Sequence, residues 1–207
     1  MQVLSPDEAR TLLAAVEGDR LEALYVLALT TGMRIGELLA LRWTDVDLQT
    51  KTPAAHVRAT LRYKNADTYY FEPPKTPKSR RRIGLSSTAQ EALRRHRTRQ
   101  LEERLAVGVA WRDEDLVFCT PIGSALCGNH LSGRNFQALL KRASVPRIRF
   151  HDLRHTCATL LLRRGVHPKV VSELLGHSTV TMTLDRYSHV LPDMQQAAME
   201  AMDGILG

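Results

Sequence analysis

The sequence predicts a mainly α-helical fold with a small antiparallel β-sheet (α+β), in a single domain that spans residues 1–207. Over most of the chain, apolar residues recur at the three- and four-residue spacing that is typical of amphipathic helices. One central stretch, residues 54–85, instead has short aromatic or alternating runs between turn-forming residues. With 207 residues, of which 43% are hydrophobic, the chain can bury one sizeable core, and no internal repeat or linker divides it.

Two helices are predicted at the start of the chain, over residues 6–17 and 20–41. The first begins after Ser5, whose side chain can cap it, because Pro6 suits a first turn and Glu8 can reach back to the cap. Both helices have an apolar face, formed by Leu12, Leu13 and Val16 in the first and by Leu24, Leu27, Ala28, Ile35, Leu38 and Leu39 in the second.

Three short strands are predicted next, over residues 54–62, 67–72 and 80–85. Alternating and aromatic residues favour the extended conformation in these segments. The intervening stretches, 65–67 and 73–77, supply Asn, Asp and Pro for turns. We therefore expect a small antiparallel meander inside an otherwise helical protein.

The remainder of the chain is predicted to be helical, apart from a loop over residues 113–128. An Arg-rich helix over residues 87–106 precedes this loop. Gly165 and Gly176 lie where C-terminal helix caps would fall, and Pro168 suits the first turn of a helix. The helices after the loop are predicted over residues 129–143, 151–164, 168–175, 179–188 and 193–205.

The chain is basic, with 29 Lys and Arg against 22 Asp and Glu and a formal net charge of +7. Such a charge is typical of proteins with a polyanionic partner, although composition alone does not separate a nucleic-acid partner from a contribution to solubility. The distribution is more informative, because basic clusters are expected where several phosphates are neutralised. The clusters are Lys75, Lys78, Arg80, Arg81 and Arg82; Arg94, Arg95, Arg97 and Arg99; and Arg142, Arg147 and Arg149. The second cluster is equally compatible with a solvated helix face, because Glu102 and Glu103 follow it.

Several features of the sequence predict a cytoplasmic location. No apolar run is long enough for a transmembrane helix, and the N-terminal residues do not resemble a secretory signal. Cys119, Cys127 and Cys157 are odd in number and lack paired close spacing. This usage favours a reducing compartment over a disulfide framework.

Polar residues of unusual type are concentrated between residues 151 and 187, among positions that otherwise resemble core. His151 and Arg154 are three apart and share a face at the start of a helix, where unpaired N–H groups favour a phosphate. His177 follows a glycine between two helices, and Tyr187 lies one short helix later. Together with Arg34 far upstream, they supply cationic donors, proton-transfer groups and a nucleophile. The set suits attack on a phosphodiester without a metal ion.

Four separated motifs carry a resemblance to a known family: TGMRIGELLALRW, KTPKSRRRIGL, HDLRHTCATLLL and LLGHSTVTMTLDRYSHV. In this order they resemble the catalytic domain of the tyrosine recombinases, the phage-integrase family, from about residue 4 to residue 192. The family's usual N-terminal core-binding domain is absent from this chain, so we expect a fragment of a longer protein. Gly84 departs from the proline common in the family, which affects a turn and not the chemistry.

The resemblance implies a role for each of six catalytic residues. Arg34 and Arg154 would bind the two non-bridging oxygens of the scissile phosphate, and Tyr187 would attack phosphorus and remain joined to the DNA 3′ phosphate. His151 is the best candidate for the base, and His177 would be a second donor to the phosphate. Lys75 would protonate the departing 5′ oxygen, although Lys78, three residues later, could serve instead.

Other residues are predicted to support the site or to contact DNA. Glu37 is expected to pair with the catalytic cations and orient them, and His155 to buttress the site from behind. The predicted DNA-binding residues are Lys78, Arg80, Arg81, Arg82, Arg147 and Arg149. No metal or other cofactor is expected, because the sequence has neither a clustered Asp/Glu set for two divalent ions nor a GxxxxGK[ST] phosphate loop.

The resemblance therefore implies a site-specific recombinase that cuts and rejoins double-stranded DNA, independently of metal and ATP, to integrate or excise a mobile element. The implied assembly is a tetramer on DNA, or a monomer in isolation, with the last helix docking on a neighbouring protomer; no membrane is involved. Three alternatives stay open: a type IB topoisomerase-like activity, a non-enzymatic DNA-binding module of the same fold, and a zinc site formed by Cys119, Cys127 and His130. The target sequence and the direction of recombination are also open.

Overall fold

The computed structural model describes residues 2–65, 68–74, 80–188 and 194–206. These ranges form a mostly helical body with short antiparallel strands, which confirms the predicted fold class. The helices within them are α1 (Pro6–Ala15), α2 (Glu22–Thr31), α3 (Ile35–Leu39), α4 (Ser87–Val107), α5 (Gly128–His130), α6 (Phe136–Arg142), α7 (Asp152–Arg163), α8 (Pro168–Leu175), α9 (Thr181–Tyr187) and α10 (Met194–Leu206). The strands are β1 (Val46–Asp47), β2 (Ala54–Val57), β3 (Thr60–Tyr63), β4 (Tyr69–Glu72) and β5 (Arg81–Gly84).

The predicted meander is wrong in its connectivity. The segment predicted as one strand, residues 54–62, is two strands, because β2 pairs with β5 whereas β3 pairs with β4. Within the described chain, β1, β2 and β5 form one sheet in the order β1-β2-β5, and the β3–β4 hairpin forms a second. Burial explains the division, since the β2 residues Ala55 and Val57 face the core beside Ile83 of β5. The hairpin is thus an insertion between two paired strands.

The predicted helix over residues 20–41 is also wrong, because the chain leaves the helical conformation between α2 and α3. Gly32 has φ +61°, and a Cβ atom built on it would lie 2.6 Å from Leu175 Cδ2. Only glycine adopts this conformation readily while allowing the end of α8 to approach so closely. Arg34 then becomes the N-cap of α3 in an extended conformation. The break therefore places Arg34 at a helix start instead of on a helix side.

The core is centred on α2, which packs against α4 and α7. Its Leu24 and Leu27 are fully buried, as are Phe118 and Phe136 from later elements. Full burial of each such side chain contributes about 1.5–3 kcal/mol relative to exposure. A smaller apolar cluster lies between α7, α8 and α9 and comprises Ala158, Leu162, Val171, Leu175 and Tyr187. This second cluster supports the three elements that carry most of the predicted site residues.

Candidate active site

Arg34 and Glu37 form a hydrogen-bonded pair at the start of α3. Arg34 Nη1 donates to Glu37 Oε1 over 2.8 Å, and the Arg34 backbone N–H donates to Glu37 Oε2 over 2.9 Å. The Glu37 side chain is 4% exposed, whereas that of Arg34 is 42% exposed. Hydrogen bonds from Arg81 and Arg34 keep the pKa of Glu37 below its usual value, although burial opposes them. A buried carboxylate thus orients a guanidinium that is open to solvent.

Arg154 is the buried counterpart of Arg34. It lies on α7, is 4% exposed, and donates from Nη1 to the carbonyl oxygen of Gly32 over 2.8 Å. Its Nη2 is buried without a hydrogen-bond partner among the residues that the structure describes. Burial, followed by repulsion from Arg34, lowers the pKa of Arg154 to about 9. A buried donor left unpaired lowers the stability of the fold by about 1–3 kcal/mol, and by more when it is charged. An acceptor oxygen placed beside this nitrogen would therefore be bound favourably.

His151 occupies the N-cap position of α7, directly before the turn that carries Arg154. The residue as a whole is exposed, and its ring makes an edge-on contact with the ring of His155, with centroids 5.0 Å apart. Burial and the nearby Arg154 charge lower the pKa of His151. The positive end of the 12-residue helix also disfavours the protonated ring. His151 is therefore neutral at neutral pH, the protonation state that a general base requires.

Tyr187 is fully buried and its hydroxyl contacts His155. The phenol oxygen lies 2.7 Å from Nδ1 of His155, and the tyrosine ring belongs to the smaller apolar cluster. Burial raises the pKa of Tyr187 to about 12, against the opposing effect of Arg154 and Arg186. Burial and the neighbouring His151 lower the pKa of His155 to about 4. The pair is therefore a phenol that donates to a neutral imidazole, and His155, the expected buttress, contacts the predicted nucleophile directly.

His177 lies beside the same group of cations. It follows Gly176, which ends α8 in the left-handed conformation, and its Nδ1 is 2.8 Å from the hydroxyl oxygen of Thr183. Burial, then Arg154 and Arg34, lower the pKa of His177 to about 4. Thr183 is fully buried on α9 and was not among the predicted site residues. Its spacing of four from Tyr187, on one helix face, is the signal that could have found it.

The predicted DNA-contacting residues separate into exposed and buried ones. Arg80 and Arg82 of the β5 segment are exposed, as are Arg147, which donates to Gln137, and Arg149, which pairs with Asp152. Arg81, also predicted to contact DNA, has a side chain that is only 6% exposed and is paired with Glu37. Strand alternation turns Arg81 toward the same face as the buried Ile83. Lys75 and Lys78 lie outside the described residues.

Two remaining features are metal-ligating groups and membrane-spanning helices. In the described ranges, no group of three or more His, Cys, Asp or Glu side chains is arranged to hold a metal ion. Cys119 is buried and its sulfur accepts a hydrogen bond from Gln100, so the zinc alternative gains no support from its surroundings. No helix in the part of the chain that is described is long and apolar enough to cross a membrane.

The histidine environments predict a loss of stability in mild acid. His155 and His177 have pKa values lowered to about 4 in the fold, whereas an unfolded chain protonates histidine near pH 6.5. Their contribution to the free energy of unfolding is complete above pH 6.5 and is lost as pH falls toward 4. We expect the thermal unfolding midpoint to fall across this range, and to fall less in the double variant His155→Gln/His177→Gln. An identical dependence of the unfolding midpoint on pH in the double variant would contradict the lowered pKa values of the two histidines.

Comparisons with known proteins agree on one family. A model of the phage integrase family matches residues 2–194. A tyrosine recombinase XerC-like protein of Caldanaerobacter subterraneus is 35% identical, over 99% of this chain and 54% of its own length. An integrase of Streptomyces ambofaciens is 34% identical, over 96% of this chain and 52% of its own. This chain therefore spans about half the length of the curated relatives that it matches.

Solved structures give the same result. The Tn1549 transposon integrase, in complex with transposon right end DNA, superposes with a TM-score of 0.81 at 26% identity, over 98% of this chain and 66% of that one. The XerA recombinase superposes with a TM-score of 0.68 at 27% identity, over 98% of this chain and 64% of that one. The resemblance that the motifs predicted is confirmed.

Proposed function

This chain belongs to the phage integrase family, and we propose that it cuts and rejoins double-stranded DNA as a site-specific recombinase of a mobile element. The observation that carries the proposal is Arg154, whose buried Nη2 lacks an acceptor among the described residues. Arg34 lies close enough to lower the pKa of Arg154, so two cations share one region. A phosphate oxygen there would satisfy both the missing hydrogen bond and the unbalanced charge.

The proposed chemistry is an in-line displacement at phosphorus. The phenol oxygen of Tyr187 forms a bond to phosphorus as the bond to the 5′ oxygen breaks, and the DNA 3′ phosphate becomes covalently attached to the tyrosine. Arg34, Arg154 and His177 stabilise the negative charge that develops on the non-bridging oxygens. The tyrosine proton passes to a neutral histidine, His151 in the proposed scheme. Energy is conserved in the phosphotyrosine bond, so rejoining needs neither ATP nor a metal ion.

Two steps of this scheme involve more than the described arrangement of side chains. Lys75, the proposed donor of a proton to the departing 5′ oxygen, lies outside the described residues. Tyr187 is fully buried with its hydroxyl beside His155, so attack requires α9 to shift and expose the phenol. The free energy for that shift would come from DNA binding, because the phosphate satisfies the Arg154 guanidinium.

The test is capture of the covalent intermediate. A pool of nicked duplexes with randomised flanks is incubated with the chain, and protein–DNA adducts are recovered and sequenced. Loss of the short fragment beyond the nick prevents rejoining, so we expect an adduct that peptide mass spectrometry locates at Tyr187. Formation in the presence of a metal chelator is also expected. Binding without any adduct would support the non-enzymatic module, and relaxation of a supercoiled plasmid without recombination would support topoisomerase-like activity.

The proposed assembly is a homo-oligomer on DNA, in which α10 docks on a neighbouring protomer. This helix exposes large apolar side chains to solvent, with Met199 57%, Ile205 75% and Leu206 78% exposed. Exposed apolar groups in this number are typical of an interaction surface. We expect deletion of residues 193–207 to weaken cooperative assembly on DNA in gel-shift titrations while the unfolding midpoint stays unchanged. A fall in the midpoint would instead show that the helix belongs to the core.

A further inference from the structure

Arg81 is a buried arginine that the proposed chemistry does not use. It lies on β5, and its side chain is only 6% exposed. Its Nη1 and Nη2 donate to the two carboxylate oxygens of Glu37 over 3.2 and 2.9 Å, and its Nε donates to the carbonyl oxygen of Leu174 over 2.7 Å. One guanidinium therefore connects three elements that are far apart in sequence: β5, the start of α3 and the end of α8.

The end of α8 is shaped to receive this guanidinium. Gly176 has φ +67°, and a Cβ atom on it would lie 2.9 Å from Arg81 Nη1 and 3.1 Å from Cζ. The planar group thus packs directly against the glycine backbone, at the position where any other residue would displace it. His177 follows immediately, so Arg81 contacts the chain at the point where it leaves α8 toward His177.

Glu37 connects Arg81 to the other side of the candidate active site. Each Glu37 oxygen accepts one hydrogen bond from Arg81 and one from Arg34. Because Glu37 is buried and shared by two guanidinium groups, its single negative charge cannot neutralise Arg34 fully. Removing Arg81 would leave Glu37 paired with Arg34 alone, and it would free the end of α8.

We propose that Arg81 is a positioning residue of the cleavage site: by binding both Glu37 and the Leu174 carbonyl, it sets the placement of Arg34 and of His177. The inference rests on the proposed function, since it assigns the residue to the cleavage step instead of to DNA binding. Arginine is required because its planar fork reaches a carboxylate and a carbonyl together, whereas the single nitrogen of lysine cannot bridge both in the same geometry.

The chain offers a matched control in Arg20. This arginine also makes a two-bond contact with a carboxylate, Glu103, over 2.7 and 2.6 Å, and a third bond to a backbone carbonyl, that of Cys119, over 2.7 Å. Arg20 lies in the segment before α2 and contacts α4 and the loop that follows α4, and none of these contacts involves a predicted site residue. Arg20→Met therefore removes the same set of bonds with the same change of side chain.

The experiment compares Arg81→Met, Arg81→Lys and Arg20→Met with the unmodified chain. On the nicked duplex recovered by adduct capture, we expect Arg81→Met to lower the single-turnover cleavage rate at saturating DNA by about 100-fold. The dissociation constant for DNA should change by less than about 3-fold, because exposed arginines and not Arg81 would contact the DNA phosphates. Arg81→Lys should recover part of the rate, and Arg20→Met should cleave normally. Equal losses in Arg81→Met and Arg20→Met, or normal cleavage by Arg81→Met, would overturn the inference.

A second readout does not depend on activity. His177 has a pKa lowered to about 4 by burial and by Arg154 and Arg34, with Arg186 and His155 contributing in the same direction. If Arg81 fixes the end of α8, an NMR titration should show the His177 pKa rising toward its ordinary value in Arg81→Met, or in Arg81→Lys should the former not fold. An unchanged His177 pKa overturns the inference. If the unmodified chain does not cleave DNA, the proposed function fails, and this titration alone decides the role of Arg81.

Discussion

Tyr187→Phe is expected to abolish the covalent protein–DNA adduct and to leave the fold intact. Phenylalanine lacks the oxygen that would attack phosphorus, so no adduct can form through this position. The ring itself is fully buried among apolar residues of α7 and α8, and phenylalanine fills the same volume. The variant loses only the hydrogen bond to His155, which contributes about 1 kcal/mol to the free energy of unfolding. Chemistry and stability are therefore separable at this residue.

Tyr25→Phe is the matched control for that variant. Tyr25 is also buried, at 4% exposed, and burial raises its pKa to about 12, as it does for Tyr187. It packs against Phe136 and Phe150 in the main core, away from the histidine and arginine cluster. We expect Tyr25→Phe to form the adduct at the unmodified rate, as measured by denaturing gel electrophoresis. An adduct that persists in Tyr187→Phe would identify another nucleophile and contradict the proposed mechanism.

The sequence predicts local structure well where one helix or turn carries the information. The boundaries of α8 were predicted from Pro168 at its start and Gly176 at its end, and the structure has the helix over Pro168–Leu175. The helix break at Gly32 was missed, because a glycine inside an apolar helical pattern is tolerated and local signals do not reveal it. Its cause is Leu175, more than 140 residues later, whose side chain occupies the space that a Cβ atom would need.

The candidate site likewise combines features that local sequence signals reveal with features that depend on contacts between distant residues. The motifs identified the residue types, but they did not reveal which basic residue is buried or which histidine touches the tyrosine. Arg81 stands between two exposed arginines, and only the pairing of β5 with β2 determines that it faces inward. His155 on α7 contacts the Tyr187 hydroxyl on α9, which is a tertiary contact between residues 32 positions apart. Such contacts depend on packing that sequence patterns leave undefined.

Arg154→Met is expected to lower the cleavage rate by about 10²–10³-fold, the range found when one preorganised donor to a transition-state oxyanion is removed. The same variant should not lower the free energy of unfolding, and is expected to raise it. In the free protein, burial and the repulsion of Arg34 oppose the Arg154 charge, and Nη2 has no partner among the described residues. A buried charge without full compensation is costly, and an apolar side chain of similar length does not carry that cost. Activity and stability should therefore change in opposite directions.

Arg163→Met provides the comparison on the same helix, because Arg163 is exposed near the end of α7. It should leave both the cleavage rate and the unfolding midpoint unchanged, as measured by single-turnover kinetics and thermal denaturation. If Arg154→Met instead destabilises the chain while retaining cleavage, the guanidinium serves the fold through its bond to Gly32. The unpaired nitrogen would then not be a binding position for phosphate. Loss of cleavage together with a gain in stability would instead mean that the folded chain keeps a costly buried charge because the cleavage step requires it.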